Sequence, residues 1–70
     1  MSKWESRWEI ETEYGLLHGT TKKCGGGLVE IYIPHIGHWI VPPQDIRTTI
    51  KELVSSAGYT VKYVGERSMI

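Results

Sequence analysis

The side chains best suited to chemistry are few and widely spaced. His18, Cys24, His35 and His38 are the only imidazole and thiol groups in the chain. Four such ligands can close a tetrahedral zinc site. The spacing His-x5-Cys-x10-His-x2-His fits no standard finger or ribbon, and one cysteine is few for a structural site. Ordinary loop and turn histidines are the simpler expectation, with no cofactor. Cys24 follows Lys22 and Lys23, whose charge favours a thiolate. A nucleophile also needs a positioned base, and nothing in the spacing identifies His18 as one. The run Lys22-Lys-Cys-Gly-Gly-Gly27 offers backbone donors to an anion, yet it lacks the glycine order and the following helix of a phosphate-binding loop. No catalytic constellation emerges, and the chain is expected to bind rather than to catalyse.

Seventy residues amount to a single domain near the lower end of the sizes that bury a sufficient core. The core must form without Phe, so three Trp and four Tyr supply the aromatic volume. The net charge is zero, which removes the broad attraction behind non-specific nucleic-acid or membrane binding. A nucleic-acid role would rest on a local patch, for which Lys22, Lys23, Arg47 and Lys51 are the candidates. One cysteine and no long apolar run point to the cytoplasm and to no membrane partner.

Periodicity supplies the elements that must position these groups. From Trp4 to Tyr14 the even face carries Trp4, Trp8, Ile10, Thr12 and Tyr14, and Lys3, Glu5, Arg7, Glu9, Glu11 and Glu13 form a charged ladder on the odd face. A period of two predicts a half-buried strand over 4–14. Residues 18–27 have the composition of a flexible loop. Strands are expected over 28–33 and 38–41, joined by a Pro34-His-Ile-Gly37 turn and stopped by Pro42-Pro43. Ile46, Ile50, Leu53, Val54 and Ala57 recur at helical spacing, so a helix should run over 45–57, with Asp45 at its N-cap and Gly58 as a left-handed C-cap. A last strand is expected over 59–64 and a loose tail over 65–70. The predicted class is α+β: a small antiparallel sheet in the order βββαβ, with one amphipathic helix on one face.

One helix covers one sheet face, but apolar residues occupy both parities of the middle strands. Val29, Ile31 and Ile33 oppose Leu28 and Tyr32, and Ile40 opposes Trp39 and Val41. The surplus predicts a contact surface centred on Tyr32 and Trp39, with Trp4 and Leu28 contributing. Its occupant would be a larger protein or a second copy of the chain, which would make a homodimer. Small size without catalytic residues suits an inhibitor of the phage or mobile-element type.

The segment from Gly27 to Thr60 resembles the HicA-type toxin ribonucleases, which have a small double-stranded-RNA-binding-like fold. A short hairpin, Ile40-Val-Pro42, the helical Thr49-Ile-Lys-Glu-Leu53 and the ending Ala57-Gly58 carry the resemblance. The Gly-Ser-His motif that holds the catalytic histidine of that family is absent, with Gly27-Leu-Val29 in its place, and the charged strand stands where the family has its first helix. The resemblance implies RNA contact without cleavage.

Overall fold

Burial alternates along the amino-terminal strand as its sequence alternates: Ser6, Trp8, Ile10 and Thr12 are buried, and Arg7 and Glu11 are exposed. The computed structural model, which describes residues 5–68, places this strand, β1 (Glu5–Thr12), inside a five-stranded antiparallel sheet. The others are β2 (Gly15–Lys23), β3 (Val29–Ile33), β4 (Gly37–Val41) and β5 (Val61–Ser68), in the spatial order β4-β3-β2-β1-β5. A single helix, α1 (Ile46–Ser56), follows a 3-10 turn at Pro43–Asp45 and packs on one face. The chain is therefore α+β, as its periodicity indicates, with the element order ββββαβ.

The additional strand is the main correction. Residues 18–23, expected in a flexible loop, belong to β2, and β2 is the central strand. Thr12 and Gly15 close a hairpin around Glu13 and Tyr14, where the Thr12 hydroxyl donates to the Gly15 carbonyl at 2.9 Å and accepts from the Tyr14 N–H at 3.1 Å. That closure sets Gly15–Lys22 alongside β1, and Thr20–Lys23 pair with β3 as well, so backbone pairing holds the strand whatever its propensity. The true connection is the glycine turn after Lys23, where the Cys24 N–H donates to the Leu28 carbonyl at 3.2 Å.

Tyr14, expected at the end of the first strand, is a turn residue. The final strand starts at Val61 rather than 59, and Gly65–Ser68, expected in a loose tail, extend it along β1. Asp45 stands at the N-cap position of α1 but makes no side-chain capping bond, because the 3-10 turn already leads the backbone into the helix. The place of a first helix in the double-stranded-RNA-binding-like arrangement is taken by β1 and β2, and α1 is followed by a strand.

The helix ends as expected. Gly58 takes φ of 99°, its N–H donates to the Ser55 carbonyl at 3.0 Å, and the Tyr59 N–H reaches the Val54 carbonyl at 3.3 Å. These two bonds define a Schellman cap. A side chain at this φ is strained, so Gly58→Ala should lower stability by about 1 kcal/mol, measured as a shift in the urea midpoint at unchanged m-value.

The core lies between α1 and the sheet, where Ile46, Ile50 and Val54 meet Trp8, Ile10, Ile31 and Val64. Gly19 and Thr21 of β2 keep the middle of this face shallow, and Ile10 and Ile33 approach each other over Gly19. No described helix is long and apolar enough to cross a membrane.

Candidate functional site

Strand register assigns each exposed side chain to a face. Tyr32 pairs with Thr20 and His38, and Ile40 pairs with Glu30, so all five belong to the open face opposite α1. Trp39 pairs with the buried Ile31 and therefore stands on the helix face. Tyr32 and Trp39, expected on one contact surface, are on opposite sides of the sheet. What they share is an end: both lie where the sheet terminates in β4.

Each side of that end carries a hollow. On the open face a depression of about 390 Å³ is floored by Thr20, Tyr32 and His38 and walled by Lys22 and Glu30, whose charged groups meet at 3.9 Å. On the helix face a smaller one of about 240 Å³ separates Trp39 from Thr49, Glu52 and Leu53 of α1. Tyr32, Trp39 and Ile40 are 50%, 56% and 53% exposed, so the apolar surface at this end is available from both sides.

The two edges of the sheet differ. β5 carries Lys62, Glu66 and Arg67, contains a bulge opposite Thr12, and has its Val64 carbonyl taken by the Arg47 guanidinium. Charges and bulges are the devices that discourage pairing at an edge. β4 reads Gly-His-Trp-Ile-Val and has no Asp, Glu, Lys or Arg. Elsewhere the open face carries the exposed Leu16 and Tyr63 among charged groups: Glu5, Glu9, Glu11 and Glu30 stand among Arg7, Lys22 and Arg67, with Arg67 bonded to Glu9 at 3.2 Å.

The other expected groups disperse. Trp4 lies outside the described residues. Leu28 stands at the glycine turn, beside a hollow of about 330 Å³ shared with Lys23 and Pro43. His18 is on the open face across from Glu9, Cys24 is exposed at the turn after β2, and His35 is in the β3–β4 turn. His35 has φ of 71°, and the Ile36 N–H donates to the Ile33 carbonyl at 3.0 Å. Among the described residues no group of three or more His, Cys, Asp or Glu side chains is placed to hold a metal ion.

The four cations expected to serve a nucleic acid separate into two pairs. Lys22 and Lys23 are at the end of β2, whereas Arg47 and Lys51 line a groove between α1 and β5. Lys62 lines the same groove, a contribution that its place in an apparently ordinary strand conceals. Ile40 was the other hidden member: its exposure follows from the hairpin register rather than from its own residue type. No protein-family model, curated protein or solved structure matches this chain.

Proposed function

We propose that the protein is a non-catalytic interaction module that binds an extended segment of a larger protein along β4. The observation that carries this reading is an uncharged edge strand with exposed apolar side chains on both of its faces. A ligand lying on one sheet face would cover Ile40 or Trp39. A strand added to the edge covers both, because its successive side chains point to opposite faces.

Such strand addition draws affinity from main-chain hydrogen bonds and specificity from pockets for alternate side chains. The hollow lined by Trp39 on the helix face, and the one over β2 and β3 that His38 borders on the open face, would receive such side chains. The partner must also be large. Five residues make a strand of about 17 Å, too short to bury alone the roughly 1,200 Å² of a stable interface. Further contact over Tyr32 on one side and Leu53 on the other would complete it. A small domain seated in this way blocks whatever its partner does with that strand, which is the behaviour of an inhibitor. The cytoplasm is the compartment that fits a chain with a single unpaired cysteine.

Capture from lysate of the source organism, quantified by mass spectrometry, tests the reading when run with three variants. Trp39→Ala and Ile40→Lys should each reduce recovery of the partner by about tenfold or more, the loss expected when a contact of about 1.4 kcal/mol is removed. Leu16→Ala, exposed on the open face at the far end of β2, should leave recovery unchanged. Loss with Ile40→Lys alone would indicate a ligand on the open face, and loss with neither would end the proposal. Light scattering identifies the other occupant: a dimer that Ile40→Lys converts to monomer would mean that β4 pairs with a second copy.

A further inference from the structure

A second concavity is away from β4. A groove of about 570 Å³ runs between α1 and β5, with Arg47 and Lys51 on one wall and Lys62 on the other. Ser55, Tyr59 and Thr60 bring hydroxyl groups to it, and no Asp or Glu is among the residues that line it. In a chain with eight acidic and eight basic residues, this is a local excess of positive charge that net neutrality hides.

Two features show how the fold assembles these cations. Glu11 pairs with Tyr63 and Thr12 with Val61, so Lys62 is the extra residue of a bulge. A bulge re-aims the side chain it carries. Arg47 is held more firmly: its guanidinium carbon stands 5.4 Å from the centre of the Trp8 ring, and Nη1 donates to the Val64 carbonyl. It is a fixed, permanently charged group. Lys51 follows one helical turn later on the same wall. Glu13 reaches the rim only at Thr60, where its Oε1 accepts the Thr60 N–H at 2.6 Å.

We infer that this groove binds the phosphate backbone of a single-stranded nucleic acid, at a site separate from β4. Solvated lysines hold one isolated phosphate weakly, whereas a chain of phosphates gains from each counterion released. Hydroxyl groups between the cations add neutral hydrogen bonds to phosphate oxygens. At about 570 Å³ the groove has room for a short stretch of one sugar-phosphate backbone.

The test is fluorescence anisotropy with a labelled oligothymidylate, using the whole chain over a range of salt. Three phosphate contacts predict a slope of log K against log salt near −2, or about a 20-fold loss of affinity between roughly 50 and 200 mM. Lys51→Ala with Lys62→Ala should leave only about a threefold loss over that range, because roughly one contact remains. Lys22→Ala with Lys23→Ala should keep the full slope, and Glu13→Gln should tighten binding.

All these side chains are exposed, so circular dichroism should be unchanged. Absence of salt-dependent binding, an unaltered slope in the groove variant, or equal loss in the Lys22 and Lys23 variant would overturn the inference. Pyrophosphate that displaces the oligonucleotide at equal concentration would reassign the groove to a small phosphate ligand. Equal affinity for the duplex of the same sequence would remove the single-strand assignment.

Discussion

Trp8→Ala is expected to lower stability by about 3–5 kcal/mol, the range for removing a large buried aromatic side chain. A domain of this length has about 4–10 kcal/mol in all, so the variant should be partly or wholly unfolded at physiological temperature. Trp8 is only 4% exposed and does three things at once. Its ring fills the core beside Ile10, its indole N–H donates to the Thr21 hydroxyl at 3.1 Å, and its face supports the Arg47 guanidinium. The bond to Thr21 reaches diagonally across the pairing of Ser6 with Thr21 and Trp8 with Gly19, so it joins the two central strands by side chains as well as backbone.

Trp8→Phe separates these roles. It keeps most of the apolar volume and leaves the buried Thr21 hydroxyl without its donor, a change of about 1–2 kcal/mol. Thermal unfolding followed by near-ultraviolet circular dichroism measures both variants, with about 4–8 °C expected for each kcal/mol. A Trp8→Ala protein that melts within a few degrees of the parent would show that the ring carries no such load. The same substitution releases Arg47, so it should also weaken oligonucleotide binding in the α1–β5 groove in whatever fraction remains folded. A stability determinant and a site residue are here one packing arrangement.

Most of the architecture is legible in the sequence because two periodicities are clean. Alternation fixes β1 and β3, helical spacing fixes α1, and Pro42-Pro43 marks the end of β4. β2 is not legible, because its composition belongs to loops. Gly15, His18 and Gly19 interrupt any strand pattern, and its only β-branched residues are Thr20 and Thr21. Its conformation comes from pairing with β1 along nearly its whole length and with β3 over Thr20–Lys23, information that a local window lacks.

The candidate site was legible by residue type and not by placement. Tyr32 and Trp39 were conspicuous as surplus aromatics, but their faces depend on the loop between β3 and β4. Three residues, Pro34 to Ile36, separate the closing pair Ile33 and Gly37. An odd loop keeps parity through the hairpin and sets Trp39 beside Ile31. With Ile33 still closing the hairpin, a loop of two would have set it beside Glu30 and a loop of four beside Tyr32, in either case on the open face. One residue of loop length therefore decides whether the surplus forms a face or an edge. Lys62 was hidden for a related reason, since nothing in Val-Lys-Tyr-Val announces a bulge.

Gly19→Val is the second substitution with a large expected effect, and local propensity argues for the opposite sign. Valine is favoured over glycine in strands, by up to about 1 kcal/mol. At the centre of this sheet packing should dominate. A Cβ on Gly19 would stand 3.1 Å from Cγ1 of Ile33, 3.3 Å from the Tyr32 carbonyl oxygen and 3.8 Å from Cδ1 of Ile10. The Ile33 side chain can rotate, but the carbonyl belongs to β3 and moves only with that strand. Gly19→Ala requires a few tenths of an ångström of relaxation and should be mildly destabilising. The two further methyl groups of valine meet a filled core, and the cost should be about 1–3 kcal/mol net of propensity. Combining Gly19→Val with Ile33→Ala should restore part of the loss, because both changes act on one volume, and a double-mutant cycle in urea would read that coupling. If Gly19→Val alone is as stable as the parent, the approach of Ile10 and Ile33 over Gly19 is not what sets the spacing of the sheet. If it is destabilised as expected, displacement of β3 should also carry Tyr32 with it and lower partner capture at β4, two strands or about 10 Å of sheet away at the usual spacing of about 4.8 Å. Glycine in the central strand would then be a condition for the geometry of the edge.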